Sequence, residues 1–256
     1  MPTLGRTLGY ALFPLFFATA AHAEDAPAQL DIEIGAAAIA VPRYPGSDSL
    51  RTLALPDVSI ALGRTLFASF ATGIGARLVD KGGIALGVLA RPDLGRRAGD
   101  VATALPGLSR VSAAPELGGF AEWSPGASLT LRGEVRRAIG GHDGTVGDLS
   151  LAWVHPVGRR VVLIAAPSLR LADARFMRAY FGVPAGLPLT PHHAGAGLER
   201  AGVMGTALVR LTPRIGLALS LRYDRLTGDA ADSPVTRGTH GSANQAGAFA
   251  ALRYRL

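Results

Sequence analysis

Residues 213–226 read PRIGLALSLRYDRL, with Ile215, Leu217, Leu219, Leu221 and Tyr223 on every second position. Arg214, Gly216, Ala218, Ser220, Arg222 and Asp224 fill the alternate positions. A period of two sends the two sets to opposite faces of a strand. One face is then a row of aliphatics closed by a Tyr, and the other is charged or small. In a soluble sandwich the aliphatic row would be core; in an outer-membrane barrel it would meet lipid, with the aromatic near the interface. One strand fits both readings, so the remaining chain has to decide.

The first 23 residues read as a secretory signal peptide. Arg6 gives a basic start, residues 8–17 (LGYALFPLFF) form a short apolar run, and Ala21-His22-Ala23 suits cleavage before Glu24. The expected organisation is a leader at 1–23 and one domain at 24–256. There is no Cys, which excludes disulfides and thiolate metal sites. After residue 23 no window holds the roughly 18 uninterrupted apolar residues of a spanning helix. Mean hydropathy is nevertheless +0.27 and Gly accounts for 33 of 256 residues. Lipid admits only helices or closed barrels, so a barrel is the remaining membrane solution. The net charge of +7 comes from scattered Arg in an exported chain, which argues against nucleic acid as a partner.

The same alternation recurs at 30–40, 113–123, 127–137 and 149–153, and 52–62, 83–91 and 243–256 read as further strands. Residues 160–171 are apolar on both faces, and 194–211 forms a further strand. Long connections fall at 41–51, 92–110, 172–193 and 227–242, and short turns at 63–64, 80–83, 124–126, 155–158 and near 212. With a Gly-rich loop at 140–144, and counted back from the C-terminus, the long connections fall on one side and the short turns on the other, as expected when long loops lie outside and short turns face the periplasm. The pattern is complete if 66–70 and 74–79 are two short strands split at 71–73. The sequence therefore predicts an all-β, twelve-stranded antiparallel transmembrane barrel.

Several segments resemble the MltA-interacting protein/OmpV family of outer-membrane proteins. They are Pro42-Arg43-Tyr44-Pro45-Gly46-Ser47, Gly-His-Asp-Gly at 141–144, RLTGDAADSP at 225–234, and a closing strand ending in Tyr254. Pro42, Tyr44, Gly46, Asp229, Asp232, Ser233 and Pro234 are the marked loop positions, and 225–234 is the most specific stretch. The resemblance implies a barrel in the outer membrane of a Gram-negative bacterium, without catalytic residues or cofactor. It also implies a scaffold joining a murein transglycosylase to a peptidoglycan synthase, with porin-like relatives as the alternative. The last residue, Leu256, departs from the Phe or Trp usual in barrels; Leu252 and Tyr254 share its face.

Asp31, Glu33, Glu116, Glu122, Arg132, Glu134, Arg210, Arg214, Arg222 and Arg253 fall on inward positions of this barrel. Asp31 and Glu33 are expected beside Arg253 and Arg255 if the first strand meets the last. The network either polarises a conducting lumen or plugs it with ion pairs. Arg91, Arg96, Arg97, Arg110, Arg175, Arg178, Arg200 and Arg237 are expected at the outer rim. There they meet outer-membrane lipid and lipopolysaccharide phosphates or stay solvated. Asp229 and Asp232 supply too few ligands for Ca²⁺, and an Asx-type turn ending at Pro234 is expected instead. His142, His192, His193 and His240 read as solvated loop residues without metal-motif spacing. His142-Asp143 lacks an adjacent Ser, and no nucleophile elbow or phosphate loop occurs. No catalytic, metal or cofactor residues are assigned.

Overall fold

The computed structural model describes residues 29–69 and 72–256. The signal-peptide reading of 1–23 lies outside the described residues. The strands are β1 (Leu30–Pro42), β2 (Leu50–Leu62), β3 (Leu66–Ser69), β4 (Gly73–Lys81), β5 (Ile84–Asp93) and β6 (Ala114–Trp123). They continue as β7 (Leu129–Ala138), β8 (Thr145–Val157), β9 (Val161–Ala172), β10 (Gly197–Arg210), β11 (Ile215–Leu226) and β12 (Asn244–Arg255). All pair antiparallel in sequence order, and β1 closes on β12. The split of the third and fourth strands is present, with β3 only four residues long.

The aliphatic rows point outward. Leu219, Leu129 and Leu131 are exposed, whereas Arg132 is buried. This exposure is a lipid face rather than a failed core, because the opposite face of each strand is the closed one. Trp123 and Trp153 sit outward toward the ends of their strands nearest the short turns, and Tyr254 does the same on β12. Tyr223 lies outward near the long-loop end and its hydroxyl donates to Asn244 Oδ1 at 2.8 Å. These positions match the interfacial aromatics of membrane barrels.

The long loops are folded, which the sequence reading did not anticipate. They carry α1 (Ala98–Ala104), α2 (Ala174–Phe181), α3 (Gly228–Asp232) and α4 (Pro234–Arg237). α2 starts at Asp173, whose carboxylate accepts from the Arg175 and Phe176 N–H groups. Burial opposes its ionisation, yet those N–H donors hold its carboxyl below the usual range. Phe176, Met177, Tyr180 and Phe181 of α2 pack with Val146, Ala194, Leu226 and Ala230. Tyr44 packs with Val101, Leu105 and Leu108 of the α1 loop and with Val183 and Val235. The result is a cap across the long-loop end, with its own apolar core.

The 225–234 stretch builds this cap. Instead of an Asx-type turn, Ser233 caps α4: its Oγ accepts from Val235 N–H and donates to Phe181 O at 2.6 Å. Asp229 Oδ2 accepts from Gly195 N–H at 2.7 Å, and Asp232 pairs with Arg237. Pro234 opens α4, where its missing N–H is harmless. Gly46, at φ +95°, donates its N–H to Gln245 Oε1 at 3.1 Å. A Cβ there would come within 2.8 Å of Thr236 Oγ1, so the left-handed turn and the close approach both require Gly. Pro42 ends β1.

Candidate functional site

Inward residues of β4 to β9 form a continuous ion-pair network. Arg77 Nη2 lies 3.1 Å from Glu122, which also pairs with Arg132. Arg132 Nε donates to Glu134 at 2.8 Å, and Arg91 approaches Glu134 at 3.4 Å. Arg136 reaches Glu116 at 3.0 Å, Glu134 at 2.6 Å and Asp148 at 2.7 Å. Asp148 also accepts two bonds from Arg170, at 2.7 and 2.8 Å. The Arg136 side chain is 1% exposed. A buried guanidinium needs its carboxylates, because removing one partner leaves an uncompensated charge at a cost of about 3–5 kcal/mol. Arg132 also lies over the Phe120 ring, 4.1 Å from its centroid.

The middle of the other half of the lumen is apolar. Ala37, Ile164, Ala166, Met204, Leu208, Ala218 and Phe249 form one buried cluster, flanked by a Thr206–Ser220 hydroxyl pair at 2.9 Å. Higher on this side Arg222 Nε lies 2.5 Å from Asp224, and Arg200 3.0 Å from Glu199.

The structure therefore places the sequence-derived inward residues unevenly. Glu116, Glu122, Arg132 and Glu134 fall in the network. Arg222 pairs with Asp224, and Glu33 contacts Arg255 at 2.8 Å and Arg253 at 3.7 Å. Asp31 is exposed at the rim, and Arg210 and Arg214 line the mouth on the short-turn side. Arg214 donates to the Tyr254 hydroxyl at 3.0 Å. Sequence reasoning missed Asp57, which pairs with Arg253, and the bridging residues Arg77, Arg136 and Arg170. Alternation does place Arg136 inward, but pairing depends on register between strands.

Three rim assignments change. Arg91 and Arg200 point into the lumen as ion-pair partners, and Arg96 is buried inside the cap. Arg96 donates to the carbonyls of Tyr180 (2.9 Å), Ser109 (2.9 Å) and Ala179 (3.2 Å), closing the C-terminal turn of α2. Burial lowers its pKa. Arg97, Arg110, Arg175, Arg178 and Arg237 are exposed on the cap.

His142 is also not a solvated loop residue. Its side chain is 0% exposed and lies against the Phe176 and Tyr180 rings. Nδ1 accepts the Gly144 N–H at 3.0 Å, which leaves the proton on Nε2, 3.2 Å from Glu116. Tyr180 donates to Asp93 at 2.5 Å, and burial with this carboxylate pushes its phenol up. Asp93, Glu116 and His142 come close enough to suggest a metal site. Their side chains already bond to Tyr180, Arg136 and Gly144, and His142 Nε2 to Glu116, so the cluster works as a hydrogen-bond node joining cap to network. Asp143 turns away and accepts the Gly140 N–H at 2.9 Å, so no His–Asp pair exists there.

At the opposite end a cavity of about 230 Å³ opens between the short turns. Arg159, Arg160, Arg210, Arg214, Arg253 and Arg255 line it, with Glu33 as the acidic residue among the described ones. Val162, Leu208 and Ala218 contribute apolar wall.

The profile of the family described as "MltA-interacting protein MipA" matches residues 34–256. No curated protein matches the chain. Among solved structures it is similar to the NanC porin (8% identity, TM-score 0.42, covering 89% of this chain and 100% of that one). It is also similar to OmpF of Salmonella typhi (10%, 0.39, covering 90% and 98%) and OmpT of Vibrio cholerae (8%, 0.38, covering 91% and 99%). The twelve-stranded barrel and the family match together place the chain in the outer membrane of a Gram-negative bacterium.

Proposed function

The chain belongs to the MltA-interacting protein family, and from that premise we propose that it is a non-catalytic scaffold for peptidoglycan-remodelling enzymes. The observation that carries the reading is the filled lumen. Ion pairs occupy one half of the interior, aliphatic side chains the other, and a folded cap covers the outer end. Such a molecule works by what it touches. Its periplasmic surface consists of short turns around the arginine-lined mouth, which suits an acidic surface on a murein transglycosylase that in turn brings a peptidoglycan synthase. On the other side, exposed Arg97, Arg110, Arg175, Arg178 and Arg237 suit lipopolysaccharide phosphates.

The test is paired. Crosslinking in intact cells followed by pull-down with a murein transglycosylase is expected to capture the pair, and Arg159→Glu with Arg160→Glu to weaken it. The purified barrel in planar bilayers is expected to stay silent. Steady ion-selective conductance steps together with no capture would replace the scaffold by a porin-like channel.

A further inference from the structure

Among the described residues the barrel wall is incomplete on its outer half beside β2. Strand β3 pairs with β2 only through Ser59 to Leu62, and β4 begins at Gly73, one residue before the pair of Ile74 with Ala90 of β5. Residues 50–58 of β2 therefore pair with β1 on one edge, and no described residue pairs with the other. Nine residues at about 3.3 Å each make an unpaired edge of about 30 Å along the strand. Pro56 lies within it, a residue that sheets tolerate at edges. In hydrocarbon such an edge is unfavourable unless something supplies acceptors and donors.

Behind the notch the inward positions of β2 are Arg51, Leu53, Leu55 and Asp57. The two leucines extend the apolar side of the lumen from Ile39 of β1 to the open edge of β2. Above them stand Arg43, Arg51 and Arg97, with Asp100 as the acidic residue among them. Asp100 Oδ1 takes Arg43 at 3.2 Å. Nε and Nη1 of Arg51 are buried without a hydrogen-bond partner. A guanidinium that offers unused donors beside an apolar slot, with a local excess of positive charge, fits a head with acidic oxygens on an acyl chain.

The geometry points to a lateral lipid site: one phosphate-bearing lipid of the outer leaflet enters the notch, its phosphate on Arg51 and a chain along Leu53 and Leu55. Phosphate and ester oxygens of this lipid also serve as acceptors for the edge N–H groups. The site deepens the lipopolysaccharide contact proposed above, but it lies in the wall and does not depend on the rim arginines or on the scaffold role.

Native mass spectrometry of the full barrel, titrated with diphosphorylated lipid A in detergent, tests it. One molecule is expected to bind, and Arg51→Gln is expected to weaken binding about ten- to a hundredfold, the scale of a lost hydrogen bond to a charged group. Dephosphorylated lipid A and oleate should bind as weakly as lipid A does to the variant. Arg175→Gln, Arg178→Gln and Arg237→Gln combined should leave the single tight site intact. A photoreactive residue at Leu55 should crosslink to lipid in cells, a readout independent of the Arg51 variant's folding. Equal binding by wild type and Arg51→Gln overturns the site. Crosslinking of Leu55 to a protein strand alone overturns it too, by giving the edge a different occupant. Loss with the rim triple but not with Arg51→Gln leaves the rim contact standing and the notch empty.

Discussion

The two halves of the lumen solve the same filling problem in opposite ways. Beneath β4 to β9, carboxylates and guanidinium groups interlock; beneath β8 to β12 and β1, Met204, Leu208, Ile164 and Phe249 pack as in an ordinary core. The ionic half depends on every partner, because a charge left alone in a dry interior is costly. The apolar half loses stability in proportion to what is removed. Contact chemistry therefore fixes how each half fails. It also explains why a chain with so many inward charges need not be a channel.

The largest effect is expected at the hub. Arg136→Leu removes a shared cation from Glu116, Glu134 and Asp148 at once and should cost about 3–5 kcal/mol, read as a lower urea midpoint for the reconstituted barrel. Adding Glu134→Gln should restore part of that loss, and a double variant no better than the single would break the comparison. On the apolar side Ile164→Val should cost only about 0.5–1.5 kcal/mol by the same assay. A loss as large as that of Arg136→Leu would erase the distinction.

A smaller effect concerns the cap. Tyr180 is held protonated by burial and by Asp93, so its folded pKa lies above the unfolded value of about 10. Its contribution is fully present below pH 10 and falls as pH rises beyond it, because the unfolded phenol loses its proton first. Amide exchange in α2 is expected to quicken above pH 10, and Tyr180→Phe to flatten that dependence while weakening the cap at neutral pH.

Much of the wall was legible because alternation is a local property: Leu217, Leu219, Leu129 and Leu131 announce their face without reference to any neighbour. Loop lengths supplied the strand count, including the division around residues 71–73. The pairing of inward charges was not legible, since Arg170 finds Asp148 and Asp57 finds Arg253 only through register and barrel closure. Early acidic and late basic strands suggested pairing across the seam. That holds for Glu33, whereas Glu116 and Glu122 find Arg136 and Arg132 on the adjoining strand and Glu134 pairs with both along its own. The cap helices escaped notice because four to eight residues are too few to be stable alone. A trace was present in Asp173 followed by Phe176, Met177, Tyr180 and Phe181, a capping residue before a one-sided apolar stripe.

The join between β1 and β12 sets Glu33 opposite Arg255, with a run of alanines above them. Sliding that join by one residue would turn Glu33 against Tyr254 and swap the faces along the whole seam. The first and last strands are the farthest apart in sequence, and their pairing closes the barrel. Small side chains above leave the alignment weakly specified, and the ion pair between Glu33 and Arg255 at one end pins it.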